Sequence, residues 1–410
     1  MTFTRKSADL IPIVDTVFAV VQLAKEDKEK NGPENVVDAT IGALYGEDGK
    51  LVAFESVFDN YDKIPHAVKA AYASSFIGNE GFRKEVYSWL FDNINSNLKY
   101  EVIATPGGSG AVALTFQSIL EENQTVIIPD IAWGSYKLMA SQNNLKSVTY
   151  SMFDNNKFNI NSFKETILDV AKTQDKILVV INDPCHNPTG YTMSKEEWIE
   201  IINFLNEVSK EIPCVILNDV AYIDYSYDLD NSRKYLELFN NISDGLMVIL
   251  AFSISKSLTS YGLRCGAAIP LATKQESVDQ VRIVFEKGAR ATWSNIPNAA
   301  MENFTWVVSE NKENFLKEKQ HYIDLIKKRS SIFIEEAKKV NLSHYPYMEG
   351  FFVTLNMPSN EIRDKYHQKL MDNHIYTVCV NKGIRVAMCS LSVNKTYGLA
   401  KKMKKIYQSI

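Results

Sequence analysis

Short apolar runs and longer amphipathic stretches alternate along the middle of the chain. Between about residues 100 and 270, the runs 101–105, 125–129, 147–152, 177–182, 215–218 and 247–251 read as buried strands. Between them, 111–120, 162–172 and 194–210 predict helices, the last opening on the capping box Ser194-Lys195-Glu196-Glu197. This alternation predicts an α/β fold: a mostly parallel central sheet sandwiched by helices, with ligands gathered at the carboxyl ends of strands. After Pro297 the pattern changes to long amphipathic helices over 299–340, followed by weaker strands around 351–355 and 384–388. A smaller α+β domain is expected there. The division expected is an arm and part of the small domain at 1–46, a large domain at 47–298 and a small C-terminal domain at 299–410.

Composition narrows the partners. A chain of 410 residues suits two domains, and a hydrophobic fraction of 45% supplies enough apolar surface to make disorder unlikely away from the termini. The net charge of -4, with basic residues spread along the chain, excludes an electrostatic footprint for nucleic acid. Small molecules or further copies of the chain are the expected partners. Five cysteines form no C-x-x-C pair, which points to reduced thiols in a cytoplasmic protein; no metal centre is expected. The apolar run at 10–24 lies behind Arg5 and Lys6 but is broken by Pro12 and Asp15. It reads as neither a signal peptide nor a membrane span.

Candidate chemistry sits just after the apolar runs. Lys256 follows the run 247–252 and precedes Arg264 by eight residues, a placement that suits a Schiff-base amine beside an anion site. A surface lysine is the plain alternative. Ser253-x-x-Lys256 also fits a serine acyl-enzyme motif, but the companion S-D-N and K-T-G motifs are absent. The turn Thr105-Pro106-Gly107-Gly108-Ser109-Gly110 opens a helix and suits a phosphate, with the Ser109 hydroxyl as a further donor. Trp133 offers an aromatic face after the run 125–129, either for a planar cofactor or as core. The loop 182–190 carries two prolines that stiffen it around Asn187. On so stiff a loop the neighbours Cys185 and His186 diverge, which discounts a nucleophile and base pair. Asp219, at the end of the next run, suits a protonated ring nitrogen, with Tyr222 for a ring oxygen; capping a helix is the alternative role for Asp219.

In this order, N-D-P-C-H-N-P-T-G, D-V-A-Y, S-I-S-K and G-L-R-C-G resemble the class I aminotransferases of pyridoxal phosphate (PLP) fold type I. The likeness is greatest to the aspartate and aromatic amino acid branch and runs from about Asp38 to Arg385. It implies that Lys256 holds PLP as a Schiff base and then carries the proton, that Asp219 holds the ring nitrogen, and that Tyr222 and Asn187 bond the ring oxygen. Gly108, Ser109, Ser253 and Arg264 would hold the phosphate, and Trp133 would stack on the ring. Arg385 would bind the substrate α-carboxylate, and Gly42 would lie on a loop that closes over the site. Arg290 would reach the partner subunit's site for a distal carboxylate, implying a homodimer and a 2-oxoacid such as 2-oxoglutarate as acceptor. A lyase or decarboxylase on the same fold, or a non-catalytic amino-acid sensor, is the alternative function. The chain departs from the family at Ser135-Tyr136, where Asn-His is frequent, at Asn182, a usual histidine position, and near Ala73, where a partner tyrosine is expected and Tyr72 stands close by.

Overall fold

All six expected strands between residues 100 and 270 lie in one eight-stranded sheet. The computed structural model describes residues 3–4, 10–12, 16–229 and 231–410, so parts of the expected N-terminal arm lie outside the described residues. In chain order the sheet contains β1 (Lys99–Tyr100), β2 (Ile103–Thr105), β3 (Thr125–Pro129), β4 (Lys146–Tyr150), β5 (Ile177–Asn182), β6 (Cys214–Asp219), β7 (Leu246–Ser253) and β8 (Gly266–Ala272). The spatial order is β1-β8-β7-β6-β5-β3-β4, and β2 also pairs with β8. From β7 to β4 every pairing is parallel, whereas β8 runs against both β7 and β2. Every residue of β5 and β6 is buried, as expected for strands covered on both faces.

Local chemistry explains the differences from expectation. The run 101–105 is split because the Glu101 carboxylate accepts the N–H of Val102 and pairs with Arg83, drawing the backbone out of the ladder. Strand β8 was not anticipated, since its glycine, alanines and Pro270 weaken the strand pattern. Those small residues let helix α1 (Gly107–Ile119) pack closely over the sheet. Helix α2 (Lys195–Val208) starts on the expected box, with Ser194 and Glu197 exchanging bonds of 3.2 and 2.8 Å. It buries Trp198, Ile201, Ile202 and Leu205, one stripe at helical spacing.

The helical stretch 299–340 is two helices, Asn298–Ser309 and α3 (Lys312–Lys339), parted where the Asn311 side chain turns to the carbonyl of Ser56. With 28 residues, α3 is about 42 Å long. Its fully buried Arg329 donates to the carbonyls of Tyr45 and Cys389 and to the Glu47 carboxylate. Strands β9 (Phe352–Asn356), β10 (Val378–Val380) and β11 (Gly383–Ala387) form an antiparallel sheet in the order β9-β11-β10. The N-terminal segment joins this part of the molecule, since Val37–Asp38 pairs with Ile375–Tyr376 and the N–H of Ala387 donates to Ala39.

Candidate active site

The antiparallel return of β8 builds the centre of the site. Gly266 pairs with Ser253 on one side and Thr105 on the other, which brings the end of β7 against the glycine-rich start of α1. A Cβ on Gly266 would fall 2.4 Å from the Phe252 oxygen and 2.6 Å from the Gly107 carbonyl carbon. Only glycine permits that approach.

A cavity of about 260 Å³ opens at these strand ends. Gly108, Ser109, Ser253 and Arg264 line it, and the Arg264 guanidinium donates to Ser255 Oγ at 3.0 Å and to the Tyr261 carbonyl at 2.9 Å. Trp133, Asn187, Asp219, Tyr222 and Lys256 complete the predicted residues that share this cavity. Asn187 Nδ2 lies 3.5 Å from the Tyr222 hydroxyl, and the Asn187 N–H is held by Asn182 Oδ1 at 2.7 Å. Burial raises the pKa of Tyr222, opposed by the positive charge of Arg385. Burial also raises that of Asp219, countered by hydrogen bonds from Tyr136 and the Ala221 N–H and by the charge of Lys256.

Lys256 Nζ donates to the Gly42 carbonyl at 2.6 Å and faces the rings of Tyr261, Tyr222 and Phe351 at 4.8, 5.5 and 6.0 Å. Loss of water brings its pKa down to about 8; Cys389 opposes the shift, and Arg385 and Arg264 add to it. A substantial share of the amine is therefore neutral, and nucleophilic, at mildly basic pH. The folded chain releases this proton before the unfolded chain does, so stability should rise with pH from about 8 to the ordinary lysine range and fall as pH drops back through about 8. Relative to Lys256→Met, the parent apoprotein should gain about 3 kcal/mol in urea unfolding over that window. Parallel pH profiles of the two proteins would contradict the assignment.

Gly42 reaches Lys256 from the N-terminal segment, and a Cβ there would meet Phe352 Cζ at 2.9 Å. The same Phe352 ring lies 4.4 Å from the guanidinium of Arg385. Arg385 is buried in a groove of about 350 Å³ that shares Trp133 and Asn187 with the first cavity. It donates to the Thr40 carbonyl at 2.7 Å, while its buried Nε has no protein partner. Arg290 is not brought to this cavity. It lies exposed on the last turn of the helix Gln275–Thr292, over the Phe76 ring at 4.7 Å and bonded to Ser294.

Cys185 and His186 form no catalytic pair. His186 is bonded to Thr189, and burial takes its pKa down to about 3, whereas burial pushes the Cys185 thiol up. Tyr225 and Tyr261 escaped the sequence reading, and Tyr136 entered it only as a departure from the family pattern. Tyr136 donates to Asp219, Tyr261 accepts the N–H of Leu44, and Tyr225 donates to the Lys256 carbonyl at 3.0 Å. All three follow a motif residue within five positions, a spacing that signals proximity but not direction.

The family model for aminotransferases of class I and II matches residues 34–402. An aminotransferase crystal structure from Anaerococcus prevotii DSM 20548 is 34% identical, with a TM-score of 0.95 and 99% of each chain covered. The aspartate aminotransferase of Escherichia coli (strain K12) is 29% identical over 291 residues, 69% of this chain and 70% of that protein. A Burkholderia pseudomallei aromatic-amino-acid aminotransferase, covalently bound to pyridoxal phosphate, is 19% identical with a TM-score of 0.81, covering 99% of this chain and all of its own.

Proposed function

The chain belongs to the class I and II aminotransferases, and from that premise we propose which residues do its chemistry and which substrates it selects. It is a fold type I enzyme that uses pyridoxal phosphate to move an amino group between an amino acid and a 2-oxoacid. The observation that carries the residue assignment is that one cavity holds an amine of lowered pKa, Lys256, and a buried carboxylate, Asp219.

The residues present fit the cofactor. Hydroxyls of Ser109 and Ser253 and the Arg264 guanidinium, set at the start of α1, suit a phosphate dianion. Asp219 suits a ring nitrogen, Tyr222 and Asn187 a ring oxygen, and Trp133 the ring face. When bound, PLP supplies an aldehyde that condenses with amines and a ring that accepts the electrons left when the Cα–H bond breaks. Lys256 then takes and returns a proton at Nζ, and its lowered pKa keeps it a competent base near neutral pH. The Gly42 carbonyl orients that nitrogen, and the segment carrying Gly42 limits water access. Arg385 offers its unpartnered Nε to the substrate α-carboxylate, common to every amino acid and 2-oxoacid.

For the substrate side chain, a dicarboxylate such as aspartate, glutamate or 2-oxoglutarate on at least one side is proposed, with aspartate or an aromatic amino acid as donor. The aspartate and aromatic relatives support this. Arg290 would serve a second copy in a homodimer, because it is exposed and lies outside its own chain's cavity, close to Phe76. In Arg290→Leu, kcat/KM for aspartate and glutamate should fall about 10- to 100-fold while tyrosine and phenylalanine are nearly unaffected. Equal losses for all four amino acids would remove Arg290 from this role. Stopped-flow half reactions of the PLP form against an amino acid panel test the wider reading; a panel that never yields the pyridoxamine form would overturn it.

A large PLP-binding domain over 47–298 and a small domain built from 299–410 with the 1–46 segment complete the proposal. The separate sheets, and the pairing of Val37–Asp38 with Ile375–Tyr376, support this division. A cytoplasmic location is proposed from the five free cysteines; no helix among the described residues is long and apolar enough to cross a membrane.

A further inference from the structure

We propose that Tyr136 is a positioning residue that fixes the Asp219 carboxylate and keeps it anionic, through a hydrogen bond whose donor does not titrate across the neutral pH range. The inference rests on the cofactor assignment above.

Tyr136 lies in the first turn of the helix Ser135–Gln142 and is fully buried. Its hydroxyl donates to Asp219 Oδ2 at 2.6 Å, while the Ala221 N–H donates to Oδ1 at 3.1 Å. With a donor on each oxygen, the carboxylate cannot rotate without breaking one bond. The Tyr136 ring also stands edge-on to Trp133, centroids 5.4 Å apart at 81°, and its N–H bonds the Trp133 carbonyl at 3.2 Å. One phenol thus braces both the carboxylate assigned to the ring nitrogen and the indole assigned to the ring face. A tyrosine serving only as core filler would not need so short a bond to a buried charge.

The groups around Asp219 give this donor its significance. Lys256 and Tyr222 line the same cavity, and Asn182 Nδ2 donates to the Asp219 backbone carbonyl at 2.7 Å. Burial and the neighbouring carboxylate hold the Tyr136 hydroxyl protonated well beyond its usual range. Lys256 apart, these neighbours keep their charge from about pH 6 to 9. The carboxylate therefore keeps one donor pattern, and with it one affinity for a protonated ring nitrogen, across that range.

The test uses apoprotein reconstituted with PLP carrying ¹⁵N in its ring, with affinity read by tryptophan quenching and ring-nitrogen protonation by NMR. Tyr136→Phe retains the ring but loses the bond. It should bind PLP about tenfold more weakly, the worth of one bond to a charged group, with the nitrogen signal shifted toward the unprotonated form. Tyr136→His supplies a donor that titrates, and should make the nitrogen signal depend on pH around the imidazole value of about 6.5. In the parent that signal should stay constant from about pH 6 to 9. A Phe variant with parental affinity and signal, or one with weaker binding and an unmoved nitrogen signal, would reduce Tyr136 to packing and overturn the proposal. Failure of the parent itself to bind PLP would instead bring down the cofactor assignment.

Discussion

The Lys256→Ala protein should lose turnover by at least about 10²–10⁴-fold, the part owed to a positioned proton carrier alone, and should still fold and bind PLP non-covalently. No neighbour is placed to substitute. Nζ sits among Tyr222, Tyr261 and Phe351, and the nearby tyrosines are held protonated by burial. The substitution removes a buried ammonium whose charge already suffers from lost water, so the variant should be no less stable than the parent near pH 7. Rapid mixing with aspartate and with an aromatic amino acid gives the readout. Parental rates in the alanine variant would end the assignment of Lys256, and a variant that does not fold would be replaced by Lys256→Met.

Arg385→Leu should lower kcat/KM for every amino acid and 2-oxoacid by about 10²–10³-fold, the expected cost of about 3 to 4 kcal/mol for removing one partner of a buried charge pair. Indifference to the side chain separates it from Arg290, whose loss should discriminate among substrates. Arg385 also bonds the Thr40 carbonyl, so part of its effect lies in holding the N-terminal segment. An N-acetyl or amide probe is not needed to separate the two: a monocarboxylate that competes with substrate should lose affinity in Arg385→Leu in proportion to kcat/KM. Side-chain-dependent losses would contradict the uniform role.

Strand ends were the readable part of this chain. A buried strand must leave the sheet at a defined point, and the residues there (Asn182, Asp219, Ser253) carry short motifs that need no long-range information. What stayed hidden depended on partners distant in sequence. Tyr136 stands out in the sequence only as a departure from the family pattern, and its role emerges when Asp219, 83 positions away, is brought to its hydroxyl. Strand β8 was concealed because its small residues serve close packing rather than strand propensity. The break at Asn311 likewise depends on a carbonyl at Ser56, more than 250 positions back. Arg290 is a different case, since its proposed target lies on another copy of the chain.

The reversed strand β8 also affects how this site tolerates change. Asn187 and Trp133 stand on separate loops and Asp219 ends strand β6, so these three reach the site from different elements. Lys256 and Arg264 share the single return between β7 and β8. A residue inserted or removed between positions 254 and 265 would therefore displace the amine, the guanidinium or the spacing between them, and transplanting that one hairpin would carry both into a new scaffold.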